Sequence, residues 1–213
     1  MRRSRSSPPS RPTCAGCRLP SELCLCAELR PLATRTRLWL VVHVYEAQKT
    51  SNTGLLAAKL LPGTQVLLRG VKDEDAAAAI PPPPPHAAWL FPSEGALPLG
   101  AWKASLPPDA RPTLIVPDGT WRQAARAWRR TPGLGDLSCV TLPPGEPGRY
   151  RLRKASTSTR LATLEAIARA FAVLEEDPAV EMELLRVFDL FVDRMLRHRG
   201  KLHLLTDEGP TPS

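Results

Sequence analysis

Thr113-Leu114-Ile115-Val116-Pro117-Asp118-Gly119-Thr120-Trp121 is the stretch on which the fold turns. Leu114, Ile115 and Val116 make a continuous apolar run, the pattern of a strand buried on both faces. The run stops at a polar turn, and from Trp121 an arginine-rich helix is expected to reach Arg130. A strand that passes through a tight turn into a helix is the repeating unit of an α/β sheet, and its turn is where such folds build sites.

Working outward, residues 38–45 contain Trp39-Leu40-Val41-Val42, a second buried parallel strand. Ser51-Asn52-Thr53-Gly54 supplies helix-cap side chains ahead of a short helix over residues 55–61, ended by Pro62-Gly63, and residues 65–68 form another strand. Residues 71–112 are irregular, with one short strand at 87–91 and five prolines, Pro81 to Pro85, read as a stiff extended spacer. Residues 138–142 add a strand, 160–176 a helix, and Pro178 opens a last helix. In that helix Val180, Leu184, Val187, Phe188, Phe191 and Leu196 recur at helical spacing as a packing stripe. The alternation predicts an α/β fold with a mostly parallel sheet and helices on both faces, whose ligands bind beyond the carboxyl ends of the strands.

The chain has 213 residues, enough for one domain with a small appendage. No run approaches the ~20 apolar residues of a membrane span, so no membrane association is expected. Residues 1–12 carry Arg2, Arg3, Arg5 and Arg11 without an apolar segment behind them, which reads as a disordered basic tail and not as a secretory signal. The expected location is the cytoplasm. The net charge of +8 suits an anionic partner such as nucleic acid, although the four tail arginines contribute half of it.

Residues 13–30 hold Cys14-x2-Cys17-x6-Cys24-x-Cys26, with Gly16 and Pro20 letting the chain fold back. Four thiolates closing around one zinc ion would make a structural site with no open position. Two disulfides are the rival reading, and they belong to exported proteins. Cys139, alone within a strand, reads as a small buried apolar residue.

Three polar clusters sit at strand ends: residues 46–54, residues 118–121, and residues 142–154 with Thr163 and Glu165 behind them. Ser51 to Gly54, followed by a helix, reads in isolation as an ordinary turn and cap, with an anion cradle as the other reading. The ordered set of the cysteine cluster, Lys49-x-Ser51-Asn52-Thr53-Gly54-x-Leu56, Asp118-Gly119-Thr120-Trp121, Tyr150-Arg151-Leu152-Arg153 and Thr163-Leu164-Glu165-Ala166 resembles the DTW-domain family, which includes tRNA-uridine aminocarboxypropyltransferases. The resemblance covers nearly the whole chain and departs only in the proline-rich segment.

The resemblance implies a catalytic domain over residues 31–213 with a knotted core similar to SPOUT-type RNA methyltransferases. It implies transfer of a 3-amino-3-carboxypropyl group from S-adenosylmethionine to a tRNA uridine, with no stable protein partner. Asp118 and Trp121 are then the candidate catalytic residues. Partly desolvated beside Trp121, Asp118 would be a stronger base than a carboxylate in water, able to take the proton of uridine N3. Alternatively, Asp118 merely caps the helix that starts near Thr120. Trp121 is expected to pack, with base stacking as the other reading. Likeness to SPOUT-type sites assigns cofactor contacts to Leu142, Pro143, Tyr150, Leu152 and Thr163, and the methionine end to Ser51, Asn52, Thr53 and Gly54. Lys49, Arg122, Arg126, Arg151, Arg153 and Lys154 form the expected RNA-binding surface. An RNA methyltransferase of the same class and a non-catalytic zinc-containing RNA-binding protein are the alternatives.

Overall fold

The computed structural model describes residues 12–17, 19–70, 80–152 and 161–204. The basic tail as far as Arg11, the RNA-binding candidates Arg153 and Lys154, and the expected helix start at Arg160 lie outside these residues.

Six strands form one sheet: β1 (Arg37–His43), β2 (Gln65–Arg69), β3 (Ala87–Leu90), β4 (Leu97–Pro98), β5 (Thr113–Asp118) and β6 (Ser138–Thr141). Their order is β2-β1-β5-β3-β6-β4, and every pairing is parallel. The helices are α1 (Val44–Ala47), α2 (Gly54–Leu60), α3 (Leu99–Ala104), α4 (Trp121–Arg130), α5 (Thr163–Glu175) and α6 (Pro178–His198).

Alternate residues of the central strands divide the core in two. Leu38, Leu40, Val42, Leu114 and Val116 point to one side, where α2, α3 and α5 cover them and α6 packs behind α5. The stripe on α6 is buried as its spacing requires, with Leu184, Val187, Phe188 and Leu196 fully enclosed. Trp39, Val41, Trp89 and Ile115 point to the other side, where Ala127 and Trp128 of α4 and Leu134 and Leu137 beyond it cover them. Helices therefore lie on both faces, but among the described residues the second face carries only α4.

Some boundaries differ from expectation for local reasons. Strand β1 stops at His43, because its Nδ1 accepts a hydrogen bond from the Tyr45 amide and turns the chain into α1. Pro98 both ends a two-residue strand and caps α3, an arrangement hidden within the irregular stretch. The proline run is more than a spacer, since Pro83 packs so closely on Gly133 that a Cβ there would lie 2.8 Å from its ring. No helix among the described residues is long and apolar enough to cross a membrane.

The connection leaving β1 runs to α2 on the first face, and the one leaving β5 runs to α4 on the second. These strands are neighbours, with Val42 beside Asp118. Divergent connections open a crevice beyond the carboxyl ends of the two strands, the usual ligand site of an open α/β sheet.

Candidate active site

Asp118 ends β5 inside this crevice with 7% of its surface exposed. Its Oδ2 accepts a hydrogen bond from Asn52 Nδ2 at 2.5 Å, and its Oδ1 accepts one from the Thr163 hydroxyl at 2.6 Å. Asn52 is itself fixed, because its Oδ1 accepts the Leu55 amide at the start of α2 and its Nδ2 also reaches the Glu46 carbonyl. Segments far apart in the chain thus converge on one carboxylate.

Asp118 does not cap α4. That role belongs to Thr120, which accepts the Gln123 amide while its own amide donates to Gln123 Oε1 at 2.7 Å, a complete capping box. Gly54 permits the close approach at the crevice, since a Cβ on it would stand 2.9 Å from Asp118 Oδ2 and 3.2 Å from Leu40.

The cofactor candidates fall into two groups. Ser51 to Gly54 meet Tyr150 and Thr163 around Asp118: the Tyr150 hydroxyl donates to the Ser51 carbonyl at 3.0 Å, and Thr53 Oγ1 accepts the Leu164 amide. Leu152 and Leu142 are partly buried against the main core. Pro143 instead lines a cavity of about 390 Å³ shared with Arg149, Glu165, Arg169 and Leu185. A smaller cavity of about 270 Å³ lies between the cysteine segment and α2, with Lys49, Asn52 and Lys59 in its wall. Asp118 lines neither. It adjoins the smaller one through Asn52, and the larger is reached through Glu165, two residues beyond Thr163.

Glu165 is a site residue that sequence reasoning left without a role. It is 4% exposed, and its two oxygens accept the amides of Arg149 at 2.5 Å and Ala162 at 2.6 Å, strapping the loop after β6 to the start of α5. The available signal was the spacing of Glu165 three residues after the helix cap, masked because the cap is Ala162 instead of Ser or Thr.

Trp121 is half exposed, and its ring lies against Phe91 at 5.2 Å. It therefore does not seal α4 against the sheet as expected, a task performed by Ala124, Ala127 and Trp128. Arg122 and Arg126 are exposed on α4, and Lys49 pairs with Glu46. Arg151 is held differently: its guanidinium bonds Asp193 at 2.7 Å and the Leu204 carbonyl at 2.9 Å, tying the loop to α6 instead of presenting an open phosphate contact.

The four cysteine sulfurs of residues 14, 17, 24 and 26 lie within 4.8 Å of one another, with closest separations of 3.5, 3.6 and 3.9 Å. Metal–sulfur bonds near 2.3 Å in a tetrahedron put sulfurs about 3.8 Å apart, whereas a disulfide needs about 2.05 Å. The set fits one tetrahedral ion and no disulfide is formed. Hydrogen bonds, first to the Cys17 backbone and then to Cys24, lower Cys14 to about 6, while Cys26 is pushed up to about 12 chiefly by its contact with Cys14. Only a cation would let all four ionise together. Gly16 makes room, since a Cβ there would meet Cys26 Sγ at 2.7 Å. The segment is latched to α6 by Arg194, which bonds Glu28 and the Cys24 carbonyl, by Arg186 on the Glu28 carbonyl, and by the His198–Glu22 pair.

The family model described as the DTW domain matches residues 11–196. The chain is similar to tRNA-uridine aminocarboxypropyltransferase 2 of Drosophila melanogaster, at 30% identity over 189 residues, covering 85% of this chain and 74% of the relative. It is also similar to the proteins of that name from Mus musculus and Macaca fascicularis, each at 28% identity over 200 residues, covering 91% of this chain and 67% of the relative. No solved structure gives a match. With a family match that spans most of its length, the chain belongs to the DTW domain family.

Proposed function

We propose that this protein transfers the 3-amino-3-carboxypropyl group of S-adenosylmethionine to N3 of a uridine in tRNA, releasing methylthioadenosine. The observation that carries the reading is the buried Asp118 carboxylate, oriented by Asn52 and Thr163 at the crevice between β1 and β5. The reaction named for the relatives supports it.

Uridine N3 bears a proton that must leave as the new N–C bond forms. Asp118 takes it, its carboxylate aimed by the Asn52 and Thr163 hydrogen bonds. Burial comes from the packing of α2 and α5 around the carboxylate and not from Trp121. S-adenosylmethionine supplies the electrophilic methylene carbon, and the electrons of its broken C–S bond remain on sulfur. Which of the three carbons on sulfur lies in line with N3 decides the product, so the protein's task is orientation, a contribution of roughly 7–11 kcal/mol in well-aligned systems. Ser51 to Gly54 hold the methionine end; Tyr150, Leu152 and Thr163 line the remainder, with Leu142 and Pro143 beside the cavity of about 390 Å³, a volume in the range of ligand pockets.

Four cysteines hold a structural zinc in residues 13–30, and residues 31–213 form the catalytic domain. The core is of the knotted SPOUT type; what supports this, beyond family likeness, is that the segment after β6 reaches back to the loop after β1, where Tyr150 meets Ser51. Lys49, Arg122 and Arg126, with Arg153 and Lys154, contact RNA phosphates. Cysteines that bind metal and not one another, together with a tRNA substrate, suit the cytoplasm.

Purified protein incubated with tRNA and cofactor labelled in the carboxyl or the methyl position tests the reading. Carboxyl label is expected in RNA, with Asp118→Asn lowering transfer about 100-fold or more while calorimetry still detects cofactor. Methyl label alone in RNA would establish the methyltransferase instead. Undiminished transfer by Asp118→Asn would remove Asp118 from the chemistry.

A further inference from the structure

Trp39, Trp89 and Trp102 are at most 5% exposed, yet Trp121 keeps 50% of its surface in solvent although it directly follows the turn that carries Asp118. Burying an indole is strongly favourable, so a chain that folds three of them inward and leaves this one on the surface has an unfilled apolar face there. Phe91, at the end of β3, stands behind it with ring planes inclined at 58°, which holds the indole from one side and leaves the other open. Along the same helix Arg122, Arg126, Arg129 and Arg130 are exposed, and Trp121–Arg130 contains no carboxylate. Among the described residues none of the four has an ion-pair partner. Arg122, Arg126 and Arg129 fall at i, i+4 and i+7, a single stripe about 10 Å long.

An exposed π-face beside a track of uncompensated guanidinium groups is complementary to single-stranded nucleic acid, which offers stackable bases on a phosphate chain. An acidic protein surface would satisfy the arginines but not the indole. The chemistry of the site points the same way. N3 lies on the pairing edge of uracil, so it is reachable only when the uridine is unpaired, and drawing that base into the crevice strips its neighbour of a stacking partner.

We propose that α4 reads the substrate strand, with Trp121, backed by Phe91, stacking on an unpaired base next to the target uridine while Arg122, Arg126 and Arg129 follow the adjoining phosphates. This rests on the RNA-substrate reading above and adds to it a requirement: the target must lie in a single-stranded stretch with a stackable neighbour.

The test is tRNA binding by fluorescence anisotropy, without cofactor, for the full-length protein and its variants. Trp121→Leu should weaken binding about 5- to 150-fold and Trp121→Phe much less, while affinity for a blunt RNA duplex changes with neither. Arg126→Gln and Arg129→Gln should each reduce the slope of log affinity against log salt by about 1. Unchanged tRNA affinity in Trp121→Leu overturns the proposal, as does an equal loss on the duplex. So does a stripe that captures poly-glutamate as tightly as tRNA. If Trp121→Leu binds tRNA normally, the platform fails and the transfer reaction stands. If binding falls as expected but the wild type transfers nothing, the platform stands and the reaction fails.

Discussion

Gly54→Ala sets two effects of opposite sign against each other. Gly54 is the first residue of α2, and replacing a helical glycine by alanine ordinarily stabilises by up to about 1 kcal/mol. Here the added methyl would lie 2.9 Å from Asp118 Oδ2, 3.1 Å from its Cγ and 3.2 Å from Leu40 Cδ2. None of these atoms belongs to a freely moving side-chain end, because Asp118 is held by Asn52 and Thr163 and Leu40 is fully buried in β1. Relieving such overpacking costs about 1–3 kcal/mol. The steric effect outweighs the propensity gain over most of this range, and net destabilisation of up to about 2 kcal/mol is expected from urea titration followed by circular dichroism. Transfer should fall further than stability does, since the methyl displaces the carboxylate itself and a misplacement of about 1 Å can cost 100-fold in rate. A Gly54→Ala protein that is more stable than wild type and equally active would refute the account of a crowded crevice centred on Asp118.

The cysteine segment gives a second test: Gly16→Ala pushes a methyl into Cys26 Sγ, so metal content by mass spectrometry should drop well below one ion per chain, with a lower melting temperature. For the surface, the Arg186 hydrogen bond holds the Glu183 carboxyl below its ordinary range. A depressed carboxylate contributes stability above its unfolded value near ~4.3, and that contribution disappears as pH falls through the lower folded value. Glu183→Gln should thus cost at most about 0.5 kcal/mol at pH 7, because both groups are partly solvated, and nothing near pH 2, as pH-dependent denaturant midpoints would reveal.

The two strands that frame the crevice were legible because burial on both faces leaves an unbroken apolar run, as in Trp39 to Val42 and Leu114 to Val116. The helical stripe of α6 was legible by its spacing. What escaped were short elements such as β4 and α3, where Pro98 reads as loop, and partnerships that no local pattern encodes. Ser51-Asn52-Thr53-Gly54 looks like a helix cap, and Asn52 does cap α2. Its second task, holding Asp118, depends on a strand pairing that only the folded sheet creates. Glu165 escaped for the same reason, since its longer-range partner is the Arg149 amide across a loop. At Arg151 the sequence shows a basic run but not its carboxylate partner, Asp193, which lies 42 residues away.

The hydrogen bonds that Asn52 and Thr163 donate to Asp118 span 66 and 45 residues of chain. During synthesis the carboxylate is made long before Thr163 leaves the ribosome, and until then its centre is incomplete. Chains ended or cut between β5 and α5 are accordingly not slow enzymes but unfinished ones, and the cell meets this alkylating chemistry only after α5 has been made and has docked on the sheet.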